Sequence, residues 1–296
     1  MATIRNPIEF TADQLGAASD HLGQIGRAVR GVGSDAEPQV RRIGTEDLRD
    51  ALRRGRDDFM ACRTDVAFIC IVYPLAGILL AWFFFDYRML PLIFPAASGF
   101  ALVGPFAAIG LYEMSRRRER GEQASWMDAL GVVSSPSFGA IFLLGMALFV
   151  VFALWMVTAW GIWSATLGPE APASIGEFVR QVLFTGPGWA MTVVGCAVGF
   201  LFAVIVLAVS IVSFPLLLDR DIGLRMAVTT SVRVAAENPR TVLSWGFIVA
   251  AGLVLGSLPL FLGLIFVMPV LGHATWHLYR KAVVAPEAPS AAAQTL

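Results

Sequence analysis

Hydrophobic residues in this chain fall into long unbroken runs separated by short charged segments, the pattern of lipid-facing or buried helices and not of alternating strands. Crossing a bilayer core about 30 Å thick takes roughly 20 helical residues. Runs of that order cover about 66–85, 91–112, 138–163 and 189–217. A further stretch from Val242 to Gly272 is too long for one crossing and carries the turn signal GSLP at 256–259. It divides into spans at about 242–257 and 259–279, so the pattern predicts six.

Amphipathic pieces lie between the runs. Leu48, Leu52, Gly55, Phe59, Cys62 and Val66 recur at spacings of four and three, with Arg49, Asp50, Arg53, Arg54, Asp57 and Asp58 on the other face. This predicts a helix lying along the membrane before the first span. SIGE, Ser174 to Glu177, has capping-box spacing, and Ile175, Phe178, Val179, Val182 and Leu183 follow it. A short helix on the outer leaflet is expected there. Residues 1–43 are rich in Gly, Ala and charge without sustained period and are expected to be a flexible cytoplasmic tail. Residues 285–296 are expected to form a second, disordered one, leaving 44–284 as the membrane domain.

The spans carry an internal repeat. Each even-numbered span has a proline, and the residues after it align: PFAAIGLYEMSR from Pro105, PLLLDRDIGLRM from Pro215 and PVLGHATWHLYR from Pro269. Tyr112 then matches Trp276, and Arg116 matches Arg280. Each odd-numbered span follows a short amphipathic piece, at Asp50 to Leu52, Asp128 to Leu130 and Met226 to Val228. The expected fold is therefore all-α and polytopic, six transmembrane helices as three pseudo-repeated hairpins, each preceded by an interfacial amphipathic helix.

Composition supports the membrane reading, since 57% of the residues are hydrophobic and only 15% charged, outside the usual soluble range. A net charge of zero argues against a nucleic-acid partner, which needs a clustered basic surplus. Cys62, Cys70 and Cys196 form no C-x-x-C pair and imply neither disulfide framework nor zinc site. The first thirty residues include Glu9, Asp13 and Asp20 and no apolar core segment, so no cleavable signal peptide is expected. With six spans, all Lys and Arg except Arg88 and Arg180 fall on one side. The positive-inside rule then puts both termini in the cytoplasm of a bacterial inner membrane. Trp82 and Tyr87, and Trp155, Trp160, Trp163 and Trp189, are expected at the outer interface.

SFPLLLDRDIGLRMAVTTSVRVAAENPRTVLSWG (213–246) followed by MPVLGHATWHLYRK resembles the bacterial domain-of-unknown-function 2189 family of predicted integral membrane proteins. Some of its members are labelled cytochrome c oxidase subunits. The resemblance extends over roughly 48–284 and implies six spans in a bacterial inner membrane, with no activity and no catalytic residues to carry over. The hairpin repeat is similar, more distantly, to the membrane domain attached to some glycerophosphodiester phosphodiesterases.

Candidate chemistry is sparse. His273 and His277 lie one helical turn apart on one face and could clip a metal only with ligands from other helices. They cannot be the two axial ligands of one haem, which approach from opposite sides of the ring. Beside Trp276, Tyr279 and Arg280 they read more simply as a polar helix end anchored at the interface. Asp219 and Asp221 read as a solvated helix exit, and the RRRER run at 116–120 as a stop-transfer charge cluster. No G-x-S-x-G, H-E-x-x-H or glycine-rich phosphate loop is present. No acidic or basic residue falls mid-span, which disfavours coupled ion transport. A non-catalytic protein without cofactor or bound metal is expected, a scaffold or accessory factor for another membrane complex or for the lipid phase. A permease or channel and an accessory oxidase subunit are the alternatives. The repeat places Asp219 and His273 four residues after their prolines, and Glu113 and His277 eight residues after theirs. If the copies surround one axis, these four would meet at the cytoplasmic mouth and share protons or a cation.

Overall fold

The computed structural model describes residues 37–62, 71–83, 89–122 and 124–284, together with Gly26, Ala28, Val29 and Gly31. Among these the chain is helical, with one isolated β-bridge between Val40 and Val283. Tyr87, Arg88, Cys70, part of the expected first span and the tail 285–296 lie outside the described residues.

Helix α1, Thr45–Ala61, begins where the Asp47 carboxylate accepts the Gly44 N–H at 2.9 Å, with Glu46 and Asp47 in its first turn. Its buried stripe is Leu48, Ala51, Gly55, Asp58 and Phe59. That stripe is turned by about one position from the expected one, and it includes Asp58, which the sequence reading put on the solvent face. Helices α2 (Val72–Phe83) and α3 (Ile93–Ala107) follow. The chain then breaks at Ala108 and continues as α4, Ile109–Glu119.

In α5, Trp126–Leu130, Asp128 accepts the Ser125 N–H at 2.8 Å and the Ser125 hydroxyl at 2.9 Å. Helix α6, Phe138–Thr166, has 29 residues and so runs about 44 Å. Helix α7, Ile175–Phe184, is capped as expected, the Glu177 N–H donating to Ser174 Oγ at 3.1 Å, and none of its residues is buried. Helix α8, Gly186–Ser210, breaks at Ile211 and Val212 before α9, Ser213–Asp219. Ser231 fits into this break, accepting the Val212 N–H and donating to Ala208 O at 2.8 Å. Helices α10 (Gly223–Glu237), α11 (Pro239–Ser257) and α12 (Leu264–Ala282) follow. The turn between α11 and α12 holds Leu260 and Phe261 at positive φ, a conformation that costs non-glycine residues energy.

Among the described residues, three helical stretches are long and apolar enough to cross a membrane: α6, α8 with α9, and α11. Helices α2 and α3 have 12 and 15 residues. Helix α12 carries His273, His277, Arg280 and Lys281 in its second half.

Burial is concentrated at the charged end. Helix α1 lies along α12, and α4, α9 and the second half of α12 pack against one another. Leu111, Met114, Phe214, Leu217, Trp276 and Tyr279 form the centre of this core. Gly55 permits the α1–α12 approach, since a Cβ there would lie 2.6 Å from Ala274 N and 2.7 Å from Val270 O. At the opposite end Trp82, Trp160, Trp189, Phe247, Leu255 and Leu258 are exposed, as suits side chains facing lipid. Trp155 and Trp163, expected in the outer aromatic belt, are buried instead. Trp155 donates its indole N–H to Pro95 O at 3.0 Å. An interior indole needs such an acceptor, and α3 supplies it.

The described end of the expected tail is docked. Arg41 N–H donates to Ala282 O at 2.8 Å, Val284 N–H to Gln39 O at 2.9 Å, and Ile43 N–H to Asn238 Oδ1 at 2.8 Å. Arg233 pairs with Glu37 and bonds to Pro38 O.

Candidate functional site

Three helices bring a closed polar cluster together inside the charged end. Asp58 of α1 accepts Ser115 Oγ at 2.6 Å and His277 Nε2 at 2.9 Å on Oδ2, and Arg118 Nε at 3.1 Å on Oδ1. Ser115 Oγ also lies 2.8 Å from His273 Nδ1. The hydroxyl has one proton, which Asp58 receives, so the imidazole must donate to the hydroxyl. This assigns the proton of that contact to His273 Nδ1, and the rest of the ring is buried beside Leu111. Burial pushes the Asp58 carboxyl up, but the hydrogen bonds from His277 and Ser115 and the neighbouring imidazoles outweigh it. The group titrates below the usual carboxylate value.

The membership of this cluster, a serine, a histidine and an aspartate, is that of a nucleophilic triad. Its wiring is not. A triad needs the imidazole to accept the serine proton and the carboxylate to hold the far side of the ring. Here the serine gives its proton to the carboxylate and accepts from the ring. Ser115 and His273 are also fully buried. The arrangement ties helices together and leaves no hydroxyl free to attack a substrate.

The four residues singled out from the sequence fall into two groups. His273 and His277 share the Asp58 cluster, where α1 covers a face expected to anchor at the interface. Glu113 and Asp219 line a separate cavity of about 290 Å³ between α4, the loop before α6 and the end of α9. Glu113 pairs with Arg116 at 2.7 Å and Arg117 at 3.0 Å, and Arg117 with Asp128 at 3.0 Å. Asp219 accepts the Tyr279 hydroxyl at 2.7 Å and Arg280 Nη1 at 3.3 Å. Glu119 accepts the Trp276 indole N–H at 3.1 Å and Arg280 Nε at 3.0 Å.

The RRRER run, expected as a stop-transfer cluster, is thus distributed among inward partners. Arg116 also donates to Leu218 O, Arg118 serves Asp58, and Glu119 joins α4 to α12. Asp219 is part of the core edge, while Asp221 of the same motif is exposed. Asp58 and Arg118 read from the sequence only as solvated charges, and Ser115 is not singled out there. A signal existed: Leu48, Ala51, Gly55 and Asp58 keep a three-four-three spacing that puts the carboxylate on the packed stripe. Among the described residues no three His, Cys, Asp or Glu side chains are placed to hold a metal ion.

Apolar helices of membrane-crossing length, with charged groups gathered at one end, make this an integral membrane protein. Residues 93–219 match the sequence model of the family described as Predicted integral membrane protein (DUF2189), which shows the resemblance read from the sequence. The match ends at Asp219, so the similarity of 220–246 and 268–281 rests on those residues alone. No curated protein and no solved structure matches the chain.

Proposed function

We propose that the protein is a non-catalytic scaffold or accessory factor of a bacterial inner membrane, crossing it six times with both termini in the cytoplasm. The observation that carries this reading is the wiring of the Asp58 cluster. Asp58, Ser115, His277 and Arg118 are all engaged in holding α1, α4 and α12 together. The apolar half supports the same reading, because only 17% of the α11 span is buried within the protein. Its remaining surface is available to lipid or to another membrane protein. The near one-sided distribution of Lys and Arg supports the orientation. An internal repeat finds support in the element order: interfacial helix (α1, α5, α10), first span, second span with its proline (Pro105, Pro215, Pro269), and a segment that ends in the shared core (α4, α9, the end of α12).

Purification of the full chain from native membranes in mild detergent, with identification of co-purifying proteins, tests the proposal. Stoichiometric recovery of a membrane complex supports it, and an oxidase within that complex would specify a respiratory accessory role. Recovery of the chain alone, combined with solute flux across reconstituted vesicles, would replace it with a permease.

A further inference from the structure

The cavity between α4, the loop before α6 and the end of α9 has features that the scaffold reading does not use. At about 290 Å³ it lies near the lower end of the roughly 300–1,000 Å³ that small-molecule sites occupy. Arg116 and Arg220 line it, and the Nε of each is a buried atom with no hydrogen-bond acceptor among the described residues. Arg220 Nε comes only within 3.9 Å of Asp219 Oδ2. Buried donors are seldom left so, and an unfilled ligand or ion position is one of the few physical reasons for it.

Ser134, Ser135 and Ser137 line the same cavity. Ser137 is the N-cap of α6, yet its side chain caps none of the first-turn N–H groups. A 29-residue helix therefore begins beside the cavity with its positive dipole end uncapped by a side chain. Guanidinium, hydroxyl and helix-start donors around one space suit the oxygens of a phosphate group.

Charge balance narrows the ligand further. The cavity is lined by three arginines, Arg116, Arg117 and Arg220, and by three carboxylates, Glu113, Asp219 and Asp221. Glu113 is occupied by Arg116 and Arg117, and Asp219 by Tyr279 and Arg280. Asp221 is exposed and has no ion pair among the described residues. A purely anionic ligand would meet no net positive charge here. A ligand carrying both signs would meet each: phosphate against the arginines and serines, ammonium against Asp221.

We propose that this cavity binds a phosphate ester that carries an ammonium group, such as the headgroup of a zwitterionic phospholipid or its soluble counterpart. The loop before α6 lies where a crossing helix leaves the charged end of the bundle, which is where a phospholipid headgroup would be in reach. The lipid source rests on the membrane placement proposed above. The chemistry of the cavity does not.

The test uses the full-length protein, delipidated in mild detergent, with ligand retention read by native mass spectrometry. The probes are dioleoyl phosphatidylethanolamine, dioleoyl phosphatidylglycerol, dioleoylglycerol and soluble glycerophosphoethanolamine. The expected result is retention of phosphatidylethanolamine at least about tenfold tighter than phosphatidylglycerol or dioleoylglycerol. Asp221→Asn, an exposed change that leaves the core untouched, should lower phosphatidylethanolamine retention about fivefold and raise that of phosphatidylglycerol. Arg220→Gln should weaken both phospholipids by about tenfold. Competition by glycerophosphoethanolamine at similar concentration would assign the site to a soluble phosphoamine, and its failure to compete would assign it to lipid. Equal retention of all three lipids, or no change in the ratio of the two phospholipids on Asp221→Asn, would overturn the proposal. These readouts do not depend on whether a protein partner exists.

Discussion

Replacing Asp58 by Ala removes the acceptor on which three helices converge. Ser115, His277 and Arg118 lose their common partner at 2.6, 2.9 and 3.1 Å, and the hydroxyl must turn elsewhere for an acceptor. Removing one member of a buried, hydrogen-bonded charge pair costs about 3–5 kcal/mol. Part is recovered by water, because the Arg118 side chain is 31% exposed, whereas His277 is only 12% exposed. The net loss expected is about 2–3 kcal/mol. For a domain of this size that corresponds to a fall in Tm of about 4–10 °C. The neighbouring Asp57 is the control: its side chain is 56% exposed and pairs with Arg56 of the adjacent position. Asp57→Ala should change Tm by no more than about 1–2 °C. Thermal unfolding of the full chain in mild detergent, followed by tryptophan fluorescence, separates the two. A second readout follows the helix itself. Cys62 ends α1 with its Sγ 3.8 Å from Arg118 Nη1. In a Cys70→Ser, Cys196→Ser background, Asp58→Ala should speed its alkylation. Equal Tm values and equal alkylation rates for the two Asp variants would refute the view that Asp58 holds α1 in place.

Gly55→Ala should destabilise the protein by about 1–3 kcal/mol despite a better helix propensity, because the added methyl meets the α12 backbone. Gly161→Ala in α6, with open space around the added atom, should be neutral or slightly stabilising in the same unfolding assay. Lys281 Nζ lies 2.8 Å from Asp50 Oδ2, and this contact, with Arg54, holds the Asp50 carboxyl down at about 2. A depressed carboxyl contributes stability above its unfolded value near 4 and loses it as pH falls through the folded value. The Tm difference between the native chain and Lys281→Ala should therefore be steady above about pH 5 and shrink as pH falls from about 4 toward 2, and a difference that widens on acidification would contradict the pairing. Reporter fusions after Thr64, Gly121, Gly223 and Ala285 should read cytoplasmic and one after Ala171 periplasmic, while a periplasmic reading at Ala285 would end the six-span topology.

What could be read from the sequence was whatever a helix decides locally. The apolar runs of α6, α8 and α11 identify themselves, Ser174 and its SIGE motif mark the start of α7, and GSLP foretells the turn before α12. What could not be read depends on which surface arrives from far along the chain. Asp58 looks like its exposed neighbour Asp57 until α12 comes to cover it. Arg116, Arg117 and Arg118 look like one solvated run, but consecutive helical residues point about 100° apart and each finds a different partner. Trp276 and Tyr279 look like interfacial anchors because their rings are amphipathic. Their placement inside the core follows from Glu119 and Asp219, whose carboxylates receive the indole N–H and the phenol. For Glu113 and Asp219, the spacing from Pro105 and Pro215 locates the backbones, but their facing is set by the Arg116, Arg117 and Arg280 guanidinium groups.

The pairing of α1 with α12 also has a meaning in time. Asp58 and His277 are separated by 219 positions. A ribosome adding about 5–20 residues per second makes the first helix some 10–40 s before its partner exists. Through that interval α1 keeps Leu48, Ala51 and Phe59 uncovered, and the segment around Val40 has no edge at Val283 to join. A chain that stops before α12 stays in this open condition. The charged end thus closes only over a finished chain, and an unfinished one displays a greasy helix to chaperones and proteases.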